Sequence, residues 1–476
     1  MKRLTLLAAA LVMVLGMAVS ASAAPEVTVS GNILINAVWK SNWDFDDGNN
    51  AAGADDDAFQ IRERIDLAFT AVANENLKAV IVFRSVRDAL GQGDLSTGAG
   101  GARGAGGGNV TLGLNQGYID FNWPGTSVNV KAGFMPVALP SAVGGGSMIQ
   151  DDNASGVLVS APITDNVSLL GGWIRFFDTA DAAGNDIDDS QIDAWVVAVP
   201  LTFEGFNMTP FVVYAPLGEN ADQTVIAFNG VGGARTDYGL GLLSGNVGKA
   251  ASTKLDDAWW AGSSFELSML DPFILKGDIN YGIVNGDSDD MDREGWLFDL
   301  ALEYTGFDFM NLEAAFAYST GYDNDEDNDG RMPVLADDWA LGTFWFGNGL
   351  ITGDDLGHAN NNMGFWALAL SATGIQSFAE GLTHDIHVVY AQGTNEDRND
   401  STGAAVGNLV YGNSLLEDDS MLELDFNTFY KIYDELTLYN GIGYINLDAD
   451  DDANGWAAGN DGGDAWKFQL GLKYVF

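Results

Sequence analysis

The chain has no cysteine, only 10 prolines, and 21 lysines and arginines against 67 aspartates and glutamates. The absent cysteines exclude a disulfide framework and suit an exported chain that avoids stray oxidation. The shortage of basic residues excludes DNA or RNA as a partner, because phosphate binding needs clusters of lysine and arginine. A net charge of -46 also opposes adhesion to anionic lipid unless divalent cations intervene. Past the N-terminus no long apolar run occurs, although 47% of the residues are hydrophobic. Average hydrophobicity without long runs must be spread as alternation, which is what a transmembrane β-barrel requires.

The one apolar run lies at the start. Lys2 and Arg3 precede a stretch from Leu4 to about Val19, followed by Ala21, Ser22 and Ala23. This order predicts a secretory signal peptide over 1–23, with cleavage after Ala23. The remainder, 24–476, reads as a single outer-membrane β-barrel domain.

From Glu26 onward, stretches with a two-residue period alternate with turns. In "FQIRERIDLAFT", Phe59, Ile61, Ile65, Leu67 and Phe69 share one face, and Gln60, Arg62, Arg64, Asp66 and Thr70 the other. No amphipathic helix is available to cover the apolar face. Short turns such as "NWPGTSV" and "FEGFN" alternate with long polar segments, as expected of periplasmic turns and extracellular loops. The pattern predicts an all-β, antiparallel, up-and-down barrel of 18 strands; a different split of one hairpin gives 16. The stretch 333–378, with "WALGTFWFGNG", reads equally as strand or loop helix. Aromatic residues near strand ends, among them Trp39, Trp123, Trp195, Trp296 and Tyr439, suggest interfacial girdles.

A barrel this wide leaves an aqueous lumen. Arg62, Arg64, Lys78, Arg84, Lys131 and Arg175 fall on polar strand faces early in the chain and are expected to form a basic lumen wall. The segment "MPVALPSAVGGGSMIQDD" is apolar for an exposed loop. Its glycines 144–146 would let it fold sharply, and it carries Asp151 and Asp152. It is expected to bend inward and set its acids against the basic wall, a constriction with a transverse field. Scattered lumen solvation would explain the same basic residues.

The runs "DFDDGNNAAGADDD", "NGDSDDMD", "DNDEDNDG" and "LDADDDANG" fall in predicted extracellular loops. Asp325, Asp327 and Asp329 begin like a helix-loop-helix calcium loop, but Ala336 stands where the bidentate glutamate belongs. Plain solvated charge accounts for them; the alternative is loosely bound Ca²⁺ or Mg²⁺ bridging to lipopolysaccharide phosphates, and no other cofactor is expected. "TGAGGARGAGGG" lacks the Gly-Lys-Ser/Thr ending of a phosphate loop. His384 and His387 are three apart on a strand, so they face opposite sides and do not share a metal. No spacing names a serine partner for either, and no enzyme is expected.

"RERIDLAFTAVANENLKAVIVFR", "QGYIDFNWPGTSVNVKAGFMPVALPS" and "DDNASGVLVSAPITDNVSLLGGWIRFFD" resemble the homotrimeric outer-membrane porins of sulfate-reducing bacteria, similar in design to general bacterial porins. The resemblance covers the chain through Asp178 and its terminal strand. It implies a trimer of water-filled channels, packed through the early strands and the final one. It implies that the loop after Phe134 narrows each pore, with Arg62, Arg64, Arg84 and Lys131 opposite Asp151 and Asp152. It also implies that the terminal Phe476 is presented to the barrel-assembly machinery. General porins have 16 strands, from which a count of 18 departs. The expected activity is passive diffusion of small hydrophilic solutes and ions. The alternatives are a substrate-selective channel for sugars or organic acids, and a structural or adhesive barrel.

Overall fold

The structure is a computed structural model that describes residues 25–43, 45, 58–85, 88–89, 112–178, 191–217, 255–286, 292–321, 323, 330–335, 338–347, 349–350, 364–396, 415–449 and 462–476. The expected signal peptide, most of the acidic runs with Asp325, Asp327 and Asp329, the glycine-rich stretch 97–108 and His358 lie outside these residues.

Twenty β-segments follow in chain order: β1 (Glu26–Ser41), β2 (Ala58–Asn74), β3 (Leu77–Ser85), β4 (Asp88–Ala89), β5 (Leu112–Asn122), β6 (Asn129–Ala138), β7 (Asp151–Pro162), β8 (Ser168–Asp178), β9 (Gln191–Ala198), β10 (Leu201–Phe203), β11 (Phe206–Pro216), β12 (Leu255–Leu270), β13 (Phe273–Gly286), β14 (Arg293–Phe307), β15 (Met310–Ser319), β16 (Phe365–Gln376), β17 (Leu382–Gly393), β18 (Ser420–Tyr433), β19 (Leu436–Asp448) and β20 (Gly462–Val475). Two of them are continuations. β4 prolongs β3 along β2, where Glu63 pairs with Asp88 after Asp66 has paired with Arg84. β9 and β10 both pair with β11 and are separated by Val199 and Pro200, whose ring cannot donate to the ladder. The wall therefore has 18 strands, the larger of the two expected counts and not the 16 of general porins.

Each strand pairs antiparallel with its neighbours, and β20 returns to β1 from Asn32↔Val475 to Ser41↔Trp466. Gly31 and Phe476 exchange both backbone hydrogen bonds, at 2.9 and 3.0 Å. The sheet is closed, so no edge is left to pair outside it. Two-residue turns at 75–76, 204–205, 271–272, 308–309 and 434–435 join strands at one end.

The outer face is apolar and exposed: Val27, Val29, Ile35 and Trp39 on β1, and Trp466, Leu470, Leu472 and Tyr474 on β20. The alternate residues Lys467 and Gln469 point inward and are 1% exposed. Tyr439 departs from the girdle expectation: it lies on the inner row of β19 and is buried. The inner face of the wall packs not on a second layer but on chain folded into the lumen.

Candidate functional site

Among the described residues, two long segments enter the barrel, and Trp43 and Phe45 after β1 pack on the second. The first, 139–150, follows β6; the second comprises 330–335, 338–347 and 349–350, after β15. The second is the stretch whose aromatics suggested a strand or helix, and its described residues form neither. The segments hydrogen bond to each other: Leu335 N to Ile149 O (2.8 Å), Asp338 N to Ser147 O (3.1 Å) and Ala340 N to Gly144 O (2.9 Å). Gly144 has φ +74°, and a Cβ there would overlap the Trp339 indole, so glycine is required for both the bend and the contact. Met148, Ile149, Trp339, Phe344 and Trp345 are buried in one apolar cluster with the wall.

Wall carboxylates hold both segments. Asp278 on β13 accepts from Ala142 N (2.9 Å), Val143 N (3.0 Å) and Ser141 Oγ (3.2 Å). Asp299 on β14 accepts from Asp278 N and from Trp339 Nε1, each at 3.0 Å. Arg293 donates to Arg331 O (2.7 Å) and Met332 O (2.9 Å), and Trp260 Nε1 to Pro333 O (2.8 Å). Glu423 and Asp425 on β18 take the N–H groups of the turn at 343–346. A buried carboxylate is tolerable only when hydrogen bonds replace its water. These contacts fall on β12–β14 and β18, and the apolar inner residues of β8 and β9 pack on the same infolded chain.

The basic residues stand on β2, β3 and β6. Arg62 and Arg64 share the inner row of β2 with Asp66. Arg64 (2.8 Å) and Arg84 (2.7 Å) bracket the Asp66 carboxylate, and Arg62 bonds Gln60 Oε1 at 2.8 Å. Lys78 pairs with Asp120 at 3.2 Å, and Lys131 faces Asp120 across the β5–β6 ladder. Lys78, Arg84 and Lys131 stay accessible, with 47% of the Lys78 side chain exposed. Among the described residues, five cations thus stand with two carboxylates, Asp66 and Asp120, along one inner stretch of wall.

Three placements differ from expectation. Arg175 lies on the outer row of β8 with Trp173, 5.4 Å from that ring, and pairs with Asp193 at 2.7 Å. The inner row there is Ile174 and Phe176, packed on the infolded chain. Asp151 and Asp152 are the first residues of β7, paired with Ala138 and Val137. Asp151 accepts from Ser147 N at 3.4 Å, at the root of the loop, and Asp152 from Asn153 N at 2.6 Å. The acids that meet the infolded chain, Asp278, Asp299, Glu423 and Asp425, were not singled out from sequence. Their only signal is an acid on an inner row, as in "LELDFN", which any water-lined strand also shows.

His387 faces inward and meets Ser371 Oγ at 2.8 Å; His384 faces outward, bonded to Thr428 and stacked on Phe426. Among the described residues no group of three or more His, Cys, Asp or Glu side chains is arranged to hold a metal.

No protein-family model matches the chain, and no curated protein matches its sequence. Solved structures do match. OccAB4 of Acinetobacter baumannii aligns over 96% of this chain and 100% of its own, at 9% identity and a TM-score of 0.51. The outer membrane protein OprD from Pseudomonas aeruginosa aligns over 96% and 95%, at 13% identity and a TM-score of 0.50. At these identities what is shared is the fold: a closed, antiparallel 18-strand barrel similar to those of outer-membrane channels.

Proposed function

We propose that the chain is an outer-membrane channel for small hydrophilic solutes, selective for anionic ones such as organic acids. The single observation that carries this reading is the division of the lumen. The infolded chain is anchored on β12–β14 and β18 and packs on β8 and β9, while Arg62, Arg64, Lys78, Arg84 and Lys131 line the inner face of β2, β3 and β6. A narrowed lumen with a cationic side concentrates anions and orients them, which argues for selection over unselective diffusion. The exposed apolar outer face suits burial in lipid. Assembly as a trimer, with outer-membrane lipid and lipopolysaccharide as surroundings, belongs to the same proposal.

Planar-bilayer recording tests it. Wild-type protein is expected to give stable conductance steps, in threes for a trimer, and block by organic acids more than by sugars. Arg62→Ala with Arg64→Ala is expected to move the reversal potential in a salt gradient toward cation preference. An unmoved potential would remove those two side chains from control of the pore, and absence of conductance would remove the channel.

A further inference from the structure

The inner face of β18, β19 and β20 is shaped around one turn of the infolded chain. Glu423 is 0% exposed. Its Oε1 accepts from Thr343 N (3.1 Å) and Phe344 N (2.7 Å), and its Oε2 from Trp345 N (2.9 Å) and Phe346 N (2.7 Å). Asp425 Oδ2 takes a further bond from Thr343 N at 2.8 Å, and Asn427 Nδ2 donates to Thr343 Oγ1 at 2.7 Å. On β19, Gly441 and Gly443 leave a slot for the Phe344 ring; a Cβ on Gly443 would overlap it. On β20, Lys467 Nζ stands 5.3 Å from the same ring, and Gln469 accepts from Leu350 N at 3.3 Å. Three strands thus contribute to one receptor for one turn.

We propose that Glu423 is the latch of the constriction: a wall carboxylate tethered in a nest of four backbone amides, which fixes the channel's width by holding residues 343–346. The proposal rests on the channel reading above. Successive N–H groups converging on one point form an anion site. Only a carboxylate supplies two acceptor oxygens and no donor; glutamine would turn an N–H₂ toward two of the amides. An apolar residue would leave the N–H groups of Phe344, Trp345 and Phe346 dry, since only Thr343 N keeps Asp425, a cost the turn escapes by leaving the wall for water. Glu423 is therefore a positioning residue, and the nest is a carboxylate site whose occupant happens to be tethered. Truncating the tether leaves a site that a free small carboxylate fits.

The test compares wild-type and Glu423→Ala channels in bilayers, each bathed in chloride and in acetate at equal ionic strength. In chloride the variant is expected to conduct severalfold more than wild type and to admit larger neutral sugars. In acetate the ratio of variant to wild type is expected to fall back toward one. Glu423→Gln, which keeps the volume, is expected to stay wide in both salts, because its side chain occupies the site. An Ala variant that conducts like wild type overturns the latch, and so does a ratio that is the same in both salts. If Glu423→Ala does not insert, Glu423→Gln decides: a width equal to wild type overturns the latch, and a wider channel supports it. Silence of the wild type itself would instead refute the channel reading.

Discussion

A methyl group on Gly443 would stand inside the ring of Phe344, so that glycine and that aromatic are fitted to each other across the lumen wall. Gly443→Val is expected to destabilise the barrel by about 1–3 kcal/mol through overpacking. Phe344→Ala removes the clash, so the two changes together should cost clearly less than their sum, read from urea unfolding in detergent or lipid. Additive costs would mean that the ring does not sit in the slot. Such fits cannot be read from "GIGYIN", because a glycine on an inner row marks equally a slot, a turn or open water. Charge on the inner row was more legible. Lys467 and Gln469 follow from the alternation of β20, where every outer residue from Trp466 to Tyr474 is apolar. Arg175 did not follow. The identification of the polar row with the lumen fails where infolded chain presses on the wall and makes the inner row apolar too.

At the scale of elements the same rule separates what sequence shows from what it hides. β20 and, apart from Glu63, β2 alternate because one face meets water or polar partners and the other lies outside, whereas the inner row of β1 also carries the buried Leu34 and Val38. Apart from the Arg175–Asp193 pair on their outer rows, β8 and β9 are largely apolar on both rows, with Ile192, Ala194, Val196 and Ala198 of β9 buried inside and Trp195 and Val197 exposed outside. Periodicity still marks them as strands but no longer says which row faces in. The infolding of 139–150 was legible from its glycines and its apolar content. The second segment was hidden, since its form depends on carboxylates far away in sequence, and its aromatics alone fit any buried element. Because the two segments bond to each other, loosening one should be felt by both. Asp278→Ala removes the acceptor of Ala142 N, Val143 N and Ser141 Oγ. It is expected to raise single-channel conductance and the size limit for neutral sugars. Asp193→Ala on the outer face serves as the control and should leave both unchanged. Equal behaviour of the two variants would deny Asp278 any part in holding the loop.

Across the whole molecule the strand order sets charge of opposite sign on opposite walls. Counting around the closed ring, β13 lies halfway round from β2, and β14 halfway round from β3. The basic row of β2, β3 and β6 therefore looks across toward Lys276, Glu303 and Glu313. There, Lys276 pairs with Glu303 at 2.8 Å and approaches Glu313 at 3.9 Å, so carboxylate is in excess. A field across the lumen was expected between the basic wall and Asp151 and Asp152. Among the described residues, the acids set across from the basic wall by strand count are Glu303 and Glu313 of β14 and β15, a placement that depends on closure and on strand count and so has no local signature. Neutralising the two walls should act in opposite senses. Arg84→Ala with Lys131→Ala is expected to shift the reversal potential toward cation preference. Glu303→Gln with Glu313→Gln is expected to shift it toward anion preference. Both shifts should shrink as salt rises, because the screening length falls from about 10 Å at 0.1 M to about 3 Å at 1 M. Shifts of the same sign, or shifts that persist undiminished in 1 M salt, would show that selection is set by width alone and not by the charge on the facing walls.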